Sequence, residues 1–180
     1  MDKIKIIGIS GSLRKKSYNT ALLKNIKNMF NETIDMEIVD ISNIPFFSED
    51  IEEQNIESVS ILSYKIKASD GLIIASPEYN YSISGVLKNT IDFLSRVSNK
   101  PLNDKKVAIL SASIGLFGGS RMQYDLRKVL LCLNSDVIRK PEVFITDAAN
   151  KFDNNGVLID EKAIEKVSLL INSFIEEIKK

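Results

Sequence analysis

The chain has 180 residues, 44% hydrophobic and 27% charged, and its 24 basic residues balance 24 acidic ones. That length predicts a single domain over residues 1–180 that buries its core without disulfides or a structural metal. With one cysteine and no histidine, one chain cannot assemble a disulfide, a Cys/His zinc site, a Ser-His-Asp triad or a Cys-His pair, and zero net charge gives no general attraction to nucleic acid or membranes.

Residues 3–9, KIKIIGI, form an apolar run that predicts a first strand ending at the polar turn SGSLRKKS. Ala21, Leu22, Ile26, Met29 and Phe30 then recur at helical spacing over 17–30. The pattern continues with a strand over 35–41, a helix over 51–68, a strand over 70–76 and a helix over 84–98. It closes with a strand over 105–113, a helix over 119–133, a strand over 142–146 and a helix over 160–178. Strands as uniformly apolar as LIIA and VAIL are buried on both faces, and their alternation with helices implies a parallel sheet covered on both sides. The fold class is therefore α/β, a flavodoxin-like three-layer sandwich with five parallel strands in the order 2-1-3-4-5. Its crevice opens at the carboxyl ends of strands 1 and 3.

The opening MDKIKIIGIS reaches a polar turn too early for a signal peptide, and no segment approaches ~18 uninterrupted apolar residues, so a cytoplasmic location is expected. Cys132, within VLLCLN, is expected to be a buried small hydrophobe without a role.

Three connectors stand out. The first, Ser10 to Asn19, delivers hydroxyls from Ser12 and Ser17, main-chain amides and the cations Arg14, Lys15 and Lys16 to a helix N-terminus, which by composition is an anion site. It is neither G-x-G-x-x-G nor G-x-x-x-x-G-K-[ST], which argues against dinucleotide and triphosphate loops. An ordinary capped turn with solvated lysines has the same composition. After strand 3 comes Ser76-Pro77-Glu78-Tyr79-Asn80-Tyr81-Ser82, whose flat rings and amide-like groups suit a planar heterocycle, although they are also common turn formers. The segment Ser111 to Ser120 holds Gly115, Gly118 and Gly119, which allow close main-chain approach to a ligand. All three fall on one predicted sheet edge, as a pocket for a singly phosphorylated planar ring such as FMN requires.

GSLRKKSYN, SPEYNYSISGVLKNTIDFLSR and SASIGLFGGSRMQYDLRKVL resemble the NADPH-dependent FMN reductases, a group that includes azo, quinone and chromate reductases. IPFFSEDIEE, residues 44–53, is similar to that family's loop after strand 2, and the resemblance runs from residue 4 to about residue 145. It implies FMN phosphate on Ser12, Arg14, Ser17 and Asn19, the isoalloxazine against Pro77, Glu78, Tyr79 and Asn80, and Ser113 and Gly115 flanking the ring. It further implies ping-pong hydride transfer from NADPH or NADH through FMN to flavin, quinone, azo or metal-oxyanion acceptors, with no catalytic side chain and no metal. A homodimer or homotetramer is also implied. The helix after Gly85, with Val86, Leu87, Ile91, Phe93 and Leu94, carries apolar surface enough either for such an interface or for a two-sided core position. The alternative is a flavodoxin-type electron carrier, against which the neutral charge and basic first loop argue. Two departures are Ser84, where the family usually has proline, and Phe93 in place of tryptophan. The first predicts a looser helix entry without loss of a flavin contact.

Overall fold

In the first strand, β1 (Ile4–Ser10), every residue from Ile6 onward is buried, which places it inside a sheet rather than at an edge. The computed structural model describes residues 3–52, 54 and 56–180. After β1 come α1 (Tyr18–Met29), β2 (Ile34–Val39), a 3-10 turn over Glu49–Ile51, α2 (Glu57–Ala68) and β3 (Gly71–Ala75). A two-strand hairpin, β4 (Glu78–Tyr79) and β5 (Ser82–Ile83), leads into α3 (Gly85–Arg96), β6 (Lys106–Ala112) and α4 (Ser120–Cys132). The remainder is β7 (Asp136–Val137), β8 (Val143–Ile145), α5 (Ala148–Lys151) and α6 (Glu161–Ile178).

The parallel sheet runs β2-β1-β3-β6 and then continues onto β7 and β8, the expected order. The fifth position is shared by two short pieces: β7 pairs with Lys106 and Val107 at the start of β6, and β8 with Leu110 to Ala112 at its end. Ile138 to Glu142, with a cis Lys140–Pro141 bond, separates them, so the expected strand over 142–146 is the second piece alone.

Side chains alternate across the pleat, so neighbouring residues feed different cores. Ile6, Ile73, Ala108 and Leu110 face Leu22, Leu23 and Ile26 of α1 and Val167, Leu170, Ile171 and Phe174 of α6. Ile7, Ile9, Leu72, Ile74, Val107 and Ile109 face Leu62 and Ile66 of α2, Leu87, Ile91 and Leu94 of α3, and Met122, Leu126 and Leu130 of α4. At the amino end of the sheet, the Lys105 ammonium donates to the carbonyls of Lys67 and Ser69, and burial, aided by nearby Lys67, pulls its pKa below the usual lysine value. No helix among the described residues is long and apolar enough to cross a membrane.

Several expectations need correction. The helix expected over 51–68 begins at Glu57, because Glu52 and Gln54, the described residues between Ile51 and Ile56, carry no apolar side chain to hold a turn on the sheet; among the described residues a 3-10 turn, capped by Ser48, precedes it. Glu53, within the expected loop over 44–53, and Asn55 lie outside the described residues. Cys132 is exposed: the buried stripe of α4 is Met122, Gln123, Leu126 and Leu130, and Cys132 falls off it beside exposed Leu131. The apolar surplus of α3 is consumed within the chain, since Leu87, Ile91, Phe93 and Leu94 are all buried and Phe93 meets Phe47 edge-on at 5.2 Å.

Phe174 is fully buried, and its ring lies over Gly71 so closely that a Cβ there would fall 2.5 Å from Cζ. Phe174→Ala is expected to lower unfolding free energy by about 3–5 kcal/mol. The shift in urea midpoint measures it.

Candidate functional site

The first loop leaves β1 at Gly11. Its N–H donates to Ala75 O at 2.9 Å, and a Cβ on Gly11 would lie 2.2 Å from Ser76 Oγ, so only glycine lets the chain pass this close to the end of β3. Ser12 is buried, and its hydroxyl accepts the Arg14 N–H at 3.4 Å; Arg14 itself is exposed and makes no side-chain bond or ion pair among the described residues. Ser17 is the N-cap of α1, its hydroxyl accepting Thr20 N–H at 3.3 Å. The Tyr18 and Asn19 N–H groups of the first turn have no protein acceptor among the described residues, as at any helix start whose cap serves a later amide. The Asn19 side chain faces inward: its Nδ2 donates to Ala112 O at 3.0 Å and its Oδ1 accepts Ala112 N–H at 2.9 Å. It therefore holds the start of α1 to the end of β6. A cavity of about 450 Å³, bordered by Lys15, Lys16 and Lys24, flanks this loop and adds positive charge beside it.

The second loop is the β4–β5 hairpin, which the sequence pattern missed. Its two central residues, Asn80 and Tyr81, have φ of 48° and 67°, a two-residue turn with both centres left-handed. Asparagine tolerates this conformation, whereas tyrosine does so at a cost of about 1–2 kcal/mol. Part of that cost is offset by Arg121, whose guanidinium carbon lies 4.2 Å from the Tyr81 ring centroid and 4.2 Å from that of Phe117. Tyr79 and Asn80 are exposed on the hairpin and Pro77 is partly buried beside it. The Glu78 carboxylate is occupied: it accepts Arg121 N–H at 3.0 Å and Met122 N–H at 3.4 Å, and pairs with the Arg121 guanidinium at 3.1 Å. It thus caps α4, whose own N-cap, Gly119, has no side chain to do so. Ser82 donates to Asp125 at 2.7 Å, and Lys128 and Ser82 together hold the Asp125 pKa below the usual carboxylate value.

In the third loop, Ser113 accepts Gly115 N–H at 3.1 Å, and both residues lie at the accessible part of the turn. Gly119, with φ of 85°, packs inward, since a Cβ there would meet Ser111 Cβ at 2.8 Å. Ser111 donates to Gly118 O and accepts from Gln123, which also donates to Val143 O at 2.8 Å. Two of the three glycines therefore serve close packing against β6 and β8.

The three loops meet at the carboxyl edge. The first touches the second where Ser84 Oγ donates to Gly11 O at 2.7 Å, and the second touches the third through Glu78 and Arg121. Ser84 does not loosen the helix entry as expected; buried and hydrogen-bonded, it anchors it. Sequence reasoning assigned no role to Arg121, Asn89 or the Ser84 hydroxyl. Asn89 secures the loop after β2, accepting Phe47 N–H at 2.8 Å and donating to Pro45 O at 2.7 Å. A glycine N-cap with no acceptor of its own was the available clue that a distant carboxylate must serve α4. No group of three or more metal-ligating side chains occurs among the described residues.

A family model described as NADPH-dependent FMN reductase matches residues 4–150. The chain is 46% identical over 167 residues to the NAD(P)H-dependent FMN reductase of Pseudomonas aeruginosa, covering 92% of this chain and 90% of that one. It is 34% identical over 183 residues to the quinone reductase of Escherichia coli, covering 99% and 97% respectively. The solved flavoenzyme NAD(P)H:(acceptor) oxidoreductase of Paracoccus denitrificans aligns with a TM-score of 0.90 at 28% identity, covering 98% and 97%. With this architecture, this loop arrangement and these matches, the chain belongs to the NADPH-dependent FMN reductase family.

Proposed function

We propose that the rim formed by the three loops holds FMN and that the chain is an NAD(P)H-dependent reductase of flavin, quinone, azo or metal-oxyanion acceptors. The observation that carries this reading is the joining of an open helix start and an unpaired Arg14 to a hairpin bearing exposed Tyr79. The donor set fits the group: a phosphate needs N–H and cationic donors, and the Tyr18 and Asn19 amides and Arg14 are uncommitted among the described residues.

Ser12, Arg14 and the start of α1 receive the phosphate, with Ser17 and Asn19 shaping that start through the cap and the Ala112 link. Pro77, Tyr79, Asn80 and the main chain of Glu78 form one side of the ring site, and Ser113 and Gly115 border the other. The carboxylate of Glu78 acts through α4, fixing the hairpin relative to the third loop. FMN held there would supply the hydride chemistry between reduced nicotinamide and an acceptor, the two using the site in turn. The chain's part is orientation, and no side chain is assigned a proton-transfer role.

The purified protein is expected to be yellow and to bleach when NADPH or NADH is added without oxygen. A yellow protein that neither nucleotide bleaches would support the carrier reading. Arg14→Ala is expected to weaken FMN binding by about tenfold or more with little change in Tm, because a charge-assisted bond to phosphate contributes ~1–3 kcal/mol and an exposed side chain little packing. Titration of flavin-free protein with FMN measures it, and equal affinities would remove Arg14 from the site.

We also infer that the chain self-associates as a homodimer or homotetramer. Ile114, Leu116 and Phe117 are 72%, 88% and 59% exposed beside the ring site, and such a contiguous apolar edge suits a second copy. Sedimentation should give a species larger than 20.2 kDa, shifted toward monomer by Leu116→Glu; a monomeric wild type would refute self-association.

A further inference from the structure

Ser84 stands at the N-cap of α3 with φ −61° and ψ 141°. A serine there ordinarily turns its hydroxyl onto the free N–H groups of its own helix. This one forms no cap bond; fully buried, it donates to Gly11 O at 2.7 Å, across 73 residues of sequence. The recipient is already confined on its other sides, by the bond from Gly11 N–H to Ala75 O and by the close approach of Ser76. Its remaining freedom is rotation of the planar Gly11–Ser12 peptide, whose carbonyl Ser84 holds and whose N–H belongs to Ser12. Ser12 N–H in turn reaches Ser10 Oγ at 3.3 Å, so the same plane aims the start of the phosphate loop.

We propose that Ser84 is a positioning residue that sets the phosphate loop in register with the ring loop. The inference rests on the FMN reading above and goes beyond it by naming what couples the two halves of the cofactor site. Ser84 ends the hairpin segment that carries Pro77 to Asn80, so one buried bond joins the element that faces the ring to the element that faces the phosphate. Without the hydroxyl, a buried carbonyl is left without this partner and the Gly11–Ser12 peptide is held by the long Ser12 N–H bond to Ser10 Oγ, at 3.3 Å, from one side alone. Ser12 and Arg14 then lose their alignment while the residues facing the ring keep theirs.

The consequence is a selective loss. Riboflavin has the ring but no phosphate, so the ratio of riboflavin to FMN dissociation constants measures what the phosphate contacts contribute. Full-length flavin-free protein is titrated with FMN and with riboflavin, following flavin fluorescence, for wild type, Ser84→Ala and Ser84→Gly. Glycine removes the hydroxyl and is tolerated at an N-cap better than alanine, so the second variant serves where the alanine variant fails to fold. Both variants are expected to bind FMN about tenfold more weakly and riboflavin within about twofold of wild type. Equal weakening toward both ligands, or a wild-type ratio in either folded variant, would overturn the proposal. A wild type that binds neither ligand would overturn the FMN reading and this inference with it. A wild type that binds FMN, with a ratio insensitive to Ser84, overturns the inference alone.

Discussion

The site depends on the main chain at Gly11 lying against the end of β3. Because a Cβ there would sit 2.2 Å from Ser76 Oγ, and because Gly11 N–H bonds Ala75 O, the first loop leaves the sheet at one fixed place. Everything downstream inherits that position. The start of α1 is set by its bond to Ala112, and the entry of α3 by its bond to Gly11, so two strands and two helices share one frame of reference. A rim fixed in this way can be held in advance of a ligand, which lowers the ordering cost of binding.

The hairpin illustrates a different balance. Two successive left-handed residues, one of them tyrosine, are unfavourable taken alone, yet the segment is tied to α4 by Glu78, by Arg121 beneath Tyr81 and by Ser82 on Asp125. Local backbone strain persists because several independent contacts over-determine it. The result is an exposed Tyr79 carried on a segment that is itself held at both ends.

The layers of the fold were legible because each rests on a repeating apolar pattern: LIIA and VAIL for buried strands, and Leu22, Leu23 and Ile26 for a helix face. Two-residue strands have no period to detect, so β4, β5 and β7 were invisible, and the Asn80–Tyr81 turn lacks the glycine that usually marks such a hairpin. The loops of the candidate site were legible from composition and resemblance, but the tasks of individual side chains were not. Asn19 bonds a strand end 93 residues away and Glu78 a helix start 43 residues away, and neither partner is visible from local sequence. Cys132 misled because apolar neighbours in sequence say nothing of which side of a helix a residue occupies.

The capping of α4 by Glu78 has an electrostatic corollary. Helix starts carry partial positive charge, and at the third loop that charge already faces a carboxylate supplied from within the chain. At the first loop it faces outward with Arg14, Lys15 and Lys16 beside it. The two ends of the rim thus differ in potential, and an elongated molecule with a single anionic tail has one favourable direction of entry between them.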